Sequence, residues 1–268
     1  MHKSLLPYPY LTKCVSLIVV LAFLGLTSSW AKLQLFAATG FGGSNGELYI
    51  LNPDDGSVIE DIGPLEDLLG NNYGLTGLRY DPSTGLLFGV TGSSPTAPNS
   101  FVLVNPNNAL VVYIGGPLGS RLTDLAIDPR DFTAYGISGS SKYLFTVDKL
   151  TGIATRIGNT GLPPHRGGGF CADANGNLYG TNDDMLYTYD KITGAATPVG
   201  HTGLVNYVSA LAFSATGTLY GIEGAGNGDG EGSIRERWLV VLDTETGAAT
   251  ELGSTVGNLN ALAFVPTP

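Results

Sequence analysis

A short unit that combines an aromatic strand, a polar turn and a terminal glycine recurs along this sequence and constrains its fold more than any other feature. A clear copy runs from Asn177 to Gly200, NLYGTNDDMLYTYDKITGAATPVG. Its two apolar segments, Leu178–Gly180 and Leu186–Tyr189, predict short β-strands. Between the second and a third strand, Asp190 supplies a side-chain acceptor and Gly194 a left-handed position, as a tight antiparallel connection requires.

Five copies of this unit can be aligned. The aromatic residue of the first strand recurs at intervals of 52, 47, 44 and 41 residues, at Phe36, Phe88, Tyr135, Tyr179 and Tyr220. The second strand is followed in each copy by a polar residue, at Asn52, Asn105, Asp148, Asp190 and Asp243. The third strand ends in each copy with a glycine, at Gly63, Gly115, Gly158, Gly200 and Gly253. Repeats of about 40 to 50 residues are typical of the blades of a β-propeller.

A fourth strand precedes the aromatic strand in four of the copies. These predicted strands are 77–81, 124–128, 169–173 and 210–214. The first copy lacks this strand, but the chain closes with a matching segment, Ala261 to Val265. We therefore predict an all-β fold, a single five-bladed β-propeller over residues 32–268. Its four-stranded antiparallel blades are closed by the C-terminal strand, which completes the first blade and removes exposed sheet edges.

The connections between strands differ in length on the two faces of such a ring. We name the strands of a blade A to D from the axis outward, so that the preceding strand is A and the aromatic strand is B. The A–B and C–D turns, which share one face (the turn face), hardly vary, whereas the B–C and D–A loops on the opposite face (the loop-rich face) do. The longest is an insertion predicted from Gly224 to Arg237. Variable loops on one face of a repeat protein commonly form its binding face.

Residues 1–31 have the pattern of a secretory signal peptide. Lys3 and Lys13 precede an apolar run of 13 residues, Cys14 to Leu26, and small residues follow it. A membrane-spanning helix needs about 20 apolar residues, so an uncleaved anchor is the less favoured alternative. We expect a secreted or periplasmic protein.

The charge of the chain limits its partners. Removal of the leader takes away two lysines and no acid, which changes the formal net charge from −10 to −12. Binding to nucleic acid or to an anionic membrane requires clustered Lys and Arg. We therefore expect no nucleic-acid partner and no membrane contact after cleavage, and we expect a monomer. Only Cys171 remains after cleavage, so no intrachain disulfide can form.

The repeats resemble those of secreted bacterial β-propellers with NHL-like, YVTN-like or quinoprotein-like repeats. The resemblance extends over residues 33–265 and rests on the strand Leu178-Tyr179-Gly180 and on the D-x-x-T-G turns at Asp148, Asp190 and Asp243. It implies the fold and leaves the chemistry open.

Seven residues on the predicted loop-rich face are candidate ligand-binding residues. Asp124 stands where the other copies have Gly or Ala, and departures from a structural repeat tend to be functional. Its carboxylate either contacts a ligand or a cation at the axis, or pairs with Arg121 or binds water. The histidines of adjacent D–A loops are candidate general acids or bases, or solvated loop residues. The full set is Arg121, Asp124, His165, Arg166, His201, Asn206 and Tyr207.

No catalytic or cofactor motif accompanies these residues. The sequence contains no G-x-S-x-G, H-E-x-x-H or P-loop pattern. We therefore predict no catalytic residue, no metal ligand at this site and no cofactor, except that Asp229 and Glu231 in the insertion are candidate calcium ligands. Two hypotheses follow. The first is an exported binding protein for a protein, glycan or small-molecule partner, and the alternative is an exported hydrolase or lyase that uses a histidine with Asp124.

Overall fold

The fold consists of five four-stranded antiparallel sheets. The computed structural model describes residues 33–40, 45–92, 97–116, 118–164, 168–224 and 236–266. Leu33–Thr267 form one compact unit. Within the described residues all regular secondary structure is β, in twenty strands. The prediction of a five-bladed β-propeller is confirmed.

Each blade contains one strand of each type. The A strands are β20 (Leu259–Pro266), β4 (Leu75–Asp81), β8 (Asp124–Ile127), β12 (Phe170–Ala172) and β16 (Val208–Phe213). The B strands are β1 (Leu33–Thr39), β5 (Leu86–Thr91), β9 (Ala134–Ser138), β13 (Leu178–Asn182) and β17 (Leu219–Glu223). The C strands are β2 (Glu47–Leu51), β6 (Phe101–Val104), β10 (Tyr143–Val147), β14 (Met185–Tyr189) and β18 (Arg237–Leu242). The D strands are β3 (Val58–Pro64), β7 (Val111–Gly115), β11 (Ala154–Asn159), β15 (Ala196–His201) and β19 (Ala249–Thr255).

The ring is closed as predicted. The C-terminal strand β20 pairs with β1 in an antiparallel register that aligns Phe36 with Ala263 and Leu33 with Pro266. The A strands contact one another in the order β20, β4, β8, β12, β16 and back to β20. The two ends of the propeller are thus hydrogen-bonded into one blade.

The recurring aromatic residue packs one blade against the next. Tyr179 in blade 4 contacts Phe213 in the A strand of blade 5, with ring centroids 5.4 Å apart. Tyr220 in blade 5 contacts Phe264 in the closing strand of blade 1 in the same way, also at 5.4 Å. Edge-to-face pairs at this distance stabilise an interface beyond their apolar area. The aromatic period of the sequence is therefore the period of the blade-to-blade contact.

The glycine that ends the D strand is required by the next blade in four of the five blades, Gly63 being the exception. A Cβ atom on Gly158 would lie 1.8 Å from the carbonyl oxygen of Thr193, and one on Gly200 would lie 2.0 Å from that of Thr246. Both carbonyls belong to the C–D turn of the following blade. Only glycine permits this approach.

The structure corrects the predicted end of the blade-5 insertion. Arg237 begins strand β18 and is fully buried, so it belongs to the sheet. Residues 225–235 lie outside the described residues. Among the residues that are described, no helix is long and apolar enough to span a membrane.

Candidate functional site

An arginine–aspartate pair fills the centre of the ring. Arg79, on the A strand of blade 2, donates through Nη2 to the carbonyl oxygens of Phe170 (2.7 Å) and Leu211 (3.0 Å), and through Nε to that of Leu125 (3.0 Å). Nη2 also lies 3.5 Å from the carboxylate of Asp124. One guanidinium thus connects the A strands of blades 2, 3, 4 and 5.

Asp124 is enclosed by this arrangement. The backbone N–H groups of Leu125 and Phe170 donate to its two carboxylate oxygens, at 2.7 and 2.8 Å, and the side chain is fully buried. It occupies the space beside Gly77, where a Cβ atom would lie 2.5 Å from Oδ1. Burial raises the pKa of Asp124 to about 7, against the lowering effect of Arg79 and the backbone donors. Asp124 lies at the axis, as predicted. Its charged partner is Arg79, however, and not Arg121 as the sequence analysis had considered.

The two described candidates in the loops of blades 3 and 4, His201 and Arg121, do not pair with Asp124. Nδ1 of His201 lies 2.8 Å from a carboxylate oxygen of Asp184, and both side chains are largely exposed. Arg121 is partly buried in the D–A loop before blade 3, and its Nε has no hydrogen-bond partner among the described residues. His165 and Arg166 lie outside the described residues. The combination of a histidine with Asp124 is not formed by His201.

Asn206 and Tyr207 meet two charged residues that the sequence analysis did not select. The backbone N–H and the side-chain amide of Asn206 donate to Oε1 of Glu223, at 3.2 and 3.1 Å. Gly224 follows Glu223 in the chain. A Cβ atom on Gly224 would lie 3.0 Å from Cζ of Tyr207 and 2.7 Å from Nη1 of Arg237, so both side chains pack beside this glycine. Nε of Arg237 donates to the carbonyl oxygen of Leu259 at 3.1 Å. We name Asn206, Tyr207, Glu223 and Arg237 the blade-5 cluster.

Glu223 departs from the repeat at its position. It is the third residue after the aromatic of the B strand, where the other blades have neutral residues: Thr39, Thr91, Ser138 and Asn182. The hydroxyls of Thr39 and Thr91 hydrogen-bond within their own B–C loops. The alignment of the five repeats therefore already showed that Glu223 is an exceptional charged residue. Glu223 was not selected as a candidate because only the A-strand positions were compared for charge.

The carboxylate of Glu223 is buried and half-satisfied. The residue is 2% exposed, and no N–H or hydroxyl group of the described residues donates to Oε2. Burial raises the pKa of Glu223, the Asn206 donors lower it, and the neighbouring carboxyl of Glu251 raises it again through its charge and a hydrogen bond between the two side chains. A buried acceptor without a partner costs stability, so it persists where the surrounding structure or a ligand compensates.

Other buried polar atoms without a hydrogen-bond partner lie at the same end of the strands. In the part of the chain that the structure describes, they belong to Asn99, Arg121, Asn182, Thr255 and Asn260, all in or beside B–C and D–A loops. Tyr189, at the opposite end of a C strand, is an exception. Unsatisfied polar groups are therefore concentrated on the loop-rich face.

The acidic residues of the turn face, by contrast, are engaged in its own turns. Asp148 and Asp190 each accept hydrogen bonds from the backbone and hydroxyl of the threonine three residues later, which lowers their pKa. Asp81 pairs with Lys149, and Asp128 with Lys191, across neighbouring blades. These carboxylates stabilise turns and blade contacts.

Neither face contains a metal centre in the described residues. No group of three or more His, Cys, Asp or Glu side chains there is arranged to hold a metal ion. Asp229 and Glu231 lie outside the described residues, so the calcium hypothesis for the insertion stays a prediction.

Comparison with known proteins supports the fold. No protein-family model and no curated protein sequence matches this chain. A chain of the nidogen/laminin complex matches with a TM-score of 0.57 and 13% identity, over 87% of this chain and 98% of that chain. A protein of unknown function from Bacteroides thetaiotaomicron VPI-5482 matches with a TM-score of 0.51 and 12% identity, over 86% of this chain and 64% of that chain. At such identities the likeness shows a shared propeller fold.

Proposed function

We propose that this protein is an exported binding protein that recognises a protein, glycan or small-molecule partner through its loop-rich face. The observation that carries the proposal is that, among the described residues, buried polar atoms without a hydrogen-bond partner are concentrated on that face, in or beside its loops at Asn99, Arg121, Asn182, Thr255 and Asn260. Binding sites combine a rigid scaffold with a few polar groups that remain available for a ligand.

The side chains that fill the centre of the ring favour a ligand site on the loops and not in the central channel. Arg79 and Asp124 are hydrogen-bonded to the A strands around them, and Asp124 is fully buried. A ligand is therefore expected to contact the loops at the mouth of the ring, and Asp124 acts on binding only by holding the blades in place. The binding residues of the proposal are Arg121, Asn206 and Tyr207 with Glu223, together with His165, Arg166 and His201 in the adjacent loops.

A comparison of the two faces tests the proposal. The purified chain is applied to glycan and peptide arrays, and any ligand found is titrated into a loop-rich-face variant, R121A/N206A/Y207A. The matched control is a turn-face variant, L150A/I192A, because both of these side chains are strongly exposed. We expect the first variant to lose binding and the second to retain it. Unchanged binding in the loop-rich-face variant contradicts the proposal.

Export rests on the leader and has its own test. We expect the mature protein recovered from outside the cytoplasm to begin near Lys32, just before the compact unit. N-terminal sequencing of the recovered protein decides this, and an N-terminus that still includes residues 1–31 contradicts cleavage.

A further inference from the structure

Four serine hydroxyls form a connected cluster at the loop-rich end of blade 3. Ser120 lies in the D–A loop before β8, and the other three serines lie at the end of β9 and in the B–C loop that follows it. Oγ of Ser120 lies 2.8 Å from Oγ of Ser141 and 3.4 Å from Oγ of Ser138. Oγ of Ser138 in turn lies 3.4 Å from Oγ of Ser140. We name Ser120, Ser138, Ser140 and Ser141 the serine cluster.

The serine cluster has more hydrogen-bond donors than it can satisfy by itself. Each hydroxyl carries one hydrogen, and each contact between two hydroxyls uses one hydrogen. Three contacts join the four hydroxyls, so at least one hydrogen has no acceptor within the cluster. Among the described residues, no carbonyl or carboxylate oxygen accepts from any of the four. The cluster can therefore donate to a ligand.

Two cationic residues flank the serine cluster. Arg121 follows Ser120 in the chain, and Lys142 follows Ser141. The two cations therefore lie in loops that touch, because the two serine hydroxyls are in contact. Neither cation makes an ion pair within the part of the chain that the structure describes. Guanidinium and ammonium groups are the side chains that bind anionic oxygens.

The loops around the serine cluster contain no acidic residue, although the chain as a whole is acidic. These loops are 92–100, 116–123, 139–142 and 160–169. They are connected by the hydroxyl contacts and by two backbone hydrogen bonds, from Leu118 to Asn99 and from Thr160 to Lys142.

The acids nearest in sequence lie elsewhere. Between residues 82 and 172, Asp124 is buried at the axis with Arg79, and the other three acids belong to the turn face: Asp128, Asp131 and Asp148. Exposed charges more than about 10 Å apart are largely screened at 0.1 M salt. The net charge of the chain therefore does not prevent the binding of an anion at this end of blade 3.

A ligand can reach these groups from solvent. One serine of the cluster is exposed and the other candidate contact residues are half-buried: Ser140 is exposed, and Ser120, Arg121, Ser141 and Lys142 are half-buried. The fourth serine of the cluster is buried. The site is therefore an open polar surface.

We propose that this end of blade 3 binds the carboxylate or sulfate group of an acidic polysaccharide. The inference rests on the proposed binding function and names the class of its ligand. Arg121 and Lys142 neutralise the anion, and the serine cluster donates to its oxygens.

Two features favour a polysaccharide over an acidic peptide. No large apolar side chain is exposed in residues 118–123 or 138–142, whereas protein partners depend on a few large anchors that fill pockets. Serine hydroxyls both donate and accept hydrogen bonds, as sugar hydroxyls do. The cluster can therefore bind a sugar hydroxyl beside the acid group.

A glycan array that contains acidic glycans and their neutral counterparts tests the inference. Oligogalacturonides are compared with their methyl esters, and sulfated dextran oligosaccharides with unmodified ones, so that the carboxylate and the sulfate are tested separately. The best-binding acidic glycan is then titrated into the wild type, R121Q, K142Q and S141A. R130Q is the control, because Arg130 is exposed on the turn face and its replacement removes the same charge.

We expect the neutral counterpart to bind the wild type about tenfold more weakly or worse, and R121Q to weaken binding of the acidic glycan by the same factor, because hydrogen bonds to a charged group are the strong ones. K142Q and S141A should each weaken binding about threefold or more. R130Q should change the affinity less than about twofold, as expected for a distant exposed charge.

Three results would overturn the inference. Equal losses in R121Q and R130Q would show that only the net charge matters. A wild type that binds no acidic glycan more tightly than its neutral counterpart would reject the anion. Glutamate oligopeptides of matched charge that bind as tightly as the best acidic glycan would reject the polysaccharide.

Failure of the inference can be distinguished from failure of the proposed function. Binding of a neutral ligand that is lost in R121A/N206A/Y207A would reject the anion and leave the binding face intact, whereas binding unaffected by that triple variant would reject the face itself. If R121Q does not fold, K142Q and the comparison of acidic with neutral glycans decide. K142Q is expected to fold, because Lys142 makes no ion pair among the described residues.

Discussion

Replacement of Arg79 by methionine should strongly destabilise the fold, and more so at high pH. The variant removes the donors to Leu125, Phe170 and Leu211 and leaves Asp124 buried without its counter-charge. Breaking a buried pair from one side costs about 3 to 5 kcal/mol. For a domain of this size, 1 kcal/mol corresponds to about 2 to 4 °C in Tm, so we expect a decrease of about 6 to 20 °C.

The pH dependence has a definite sign. The pKa of Asp124 is about 7 in the folded protein and 3.8 as its ordinary value, so the protonated carboxyl contributes stability that is fully present below about pH 4 and lost as the pH rises through 7. Arg79 lowers this pKa, and its removal therefore raises the pKa further. The loss of stability in R79M should thus be smaller at pH 5 than at pH 8.

Urea unfolding at both pH values, followed by the fluorescence of the half-buried Trp238, measures these effects. The control is R156M, because Arg156 is exposed and only stacks on Tyr143, which predicts a cost below about 1 kcal/mol. A free energy of unfolding for R79M within about 1 kcal/mol of the wild type, or a loss that is equal at pH 5 and pH 8, would refute the reasoning.

Three further predictions concern the scaffold and its insertion. G200A should cost about 1 to 3 kcal/mol in urea unfolding, because its Cβ meets the carbonyl oxygen of Thr246, and a variant as stable as the wild type would contradict the packing described. Deletion of residues 259–268 removes the partner of β1 and should abolish the cooperative unfolding transition, whereas a truncated chain that melts like the full chain would contradict ring closure. Replacement of residues 225–235 by a short loop should change the Tm little in calcium-free buffer. If Asp229 and Glu231 bind calcium, the ion should raise the Tm of the native protein and leave that of the shortened variant unchanged. An equal response of both proteins to calcium would exclude this site.

The fold was predictable because the recurring residues have the same physical task in most of the blades. The aromatic of the B strand packs on the next blade, the glycine that ends the D strand admits the next C–D turn, and the polar residue after the C strand caps that turn. Such tasks repeat with the blade, so their period appears in the sequence. Closure by residues 261–265 could be predicted for the same reason.

The candidate site was predictable only in part, because its contacts join residues that are distant in sequence. Asp124 was identified as a departure from the repeat, but its partner Arg79 is 45 positions earlier, on the A strand of the preceding blade. Arg237 was assigned to the insertion because nothing in the local sequence shows at which residue the following strand, β18, begins. Glu223 was missed although its position is occupied by neutral residues in the other four copies.

The most direct test of the binding face is amide hydrogen exchange with and without a ligand captured on the peptide or glycan array. We expect slower exchange from the D–A loop into the start of β16, residues 203–208, and at the end of β17, residues 221–224, where the blade-5 cluster lies. The turns that follow Asp148 and Asp190 on the turn face should exchange at unchanged rates. Protection confined to those turns, with none at residues 203–208 or 221–224, would contradict the assignment of the loop-rich face as the binding surface.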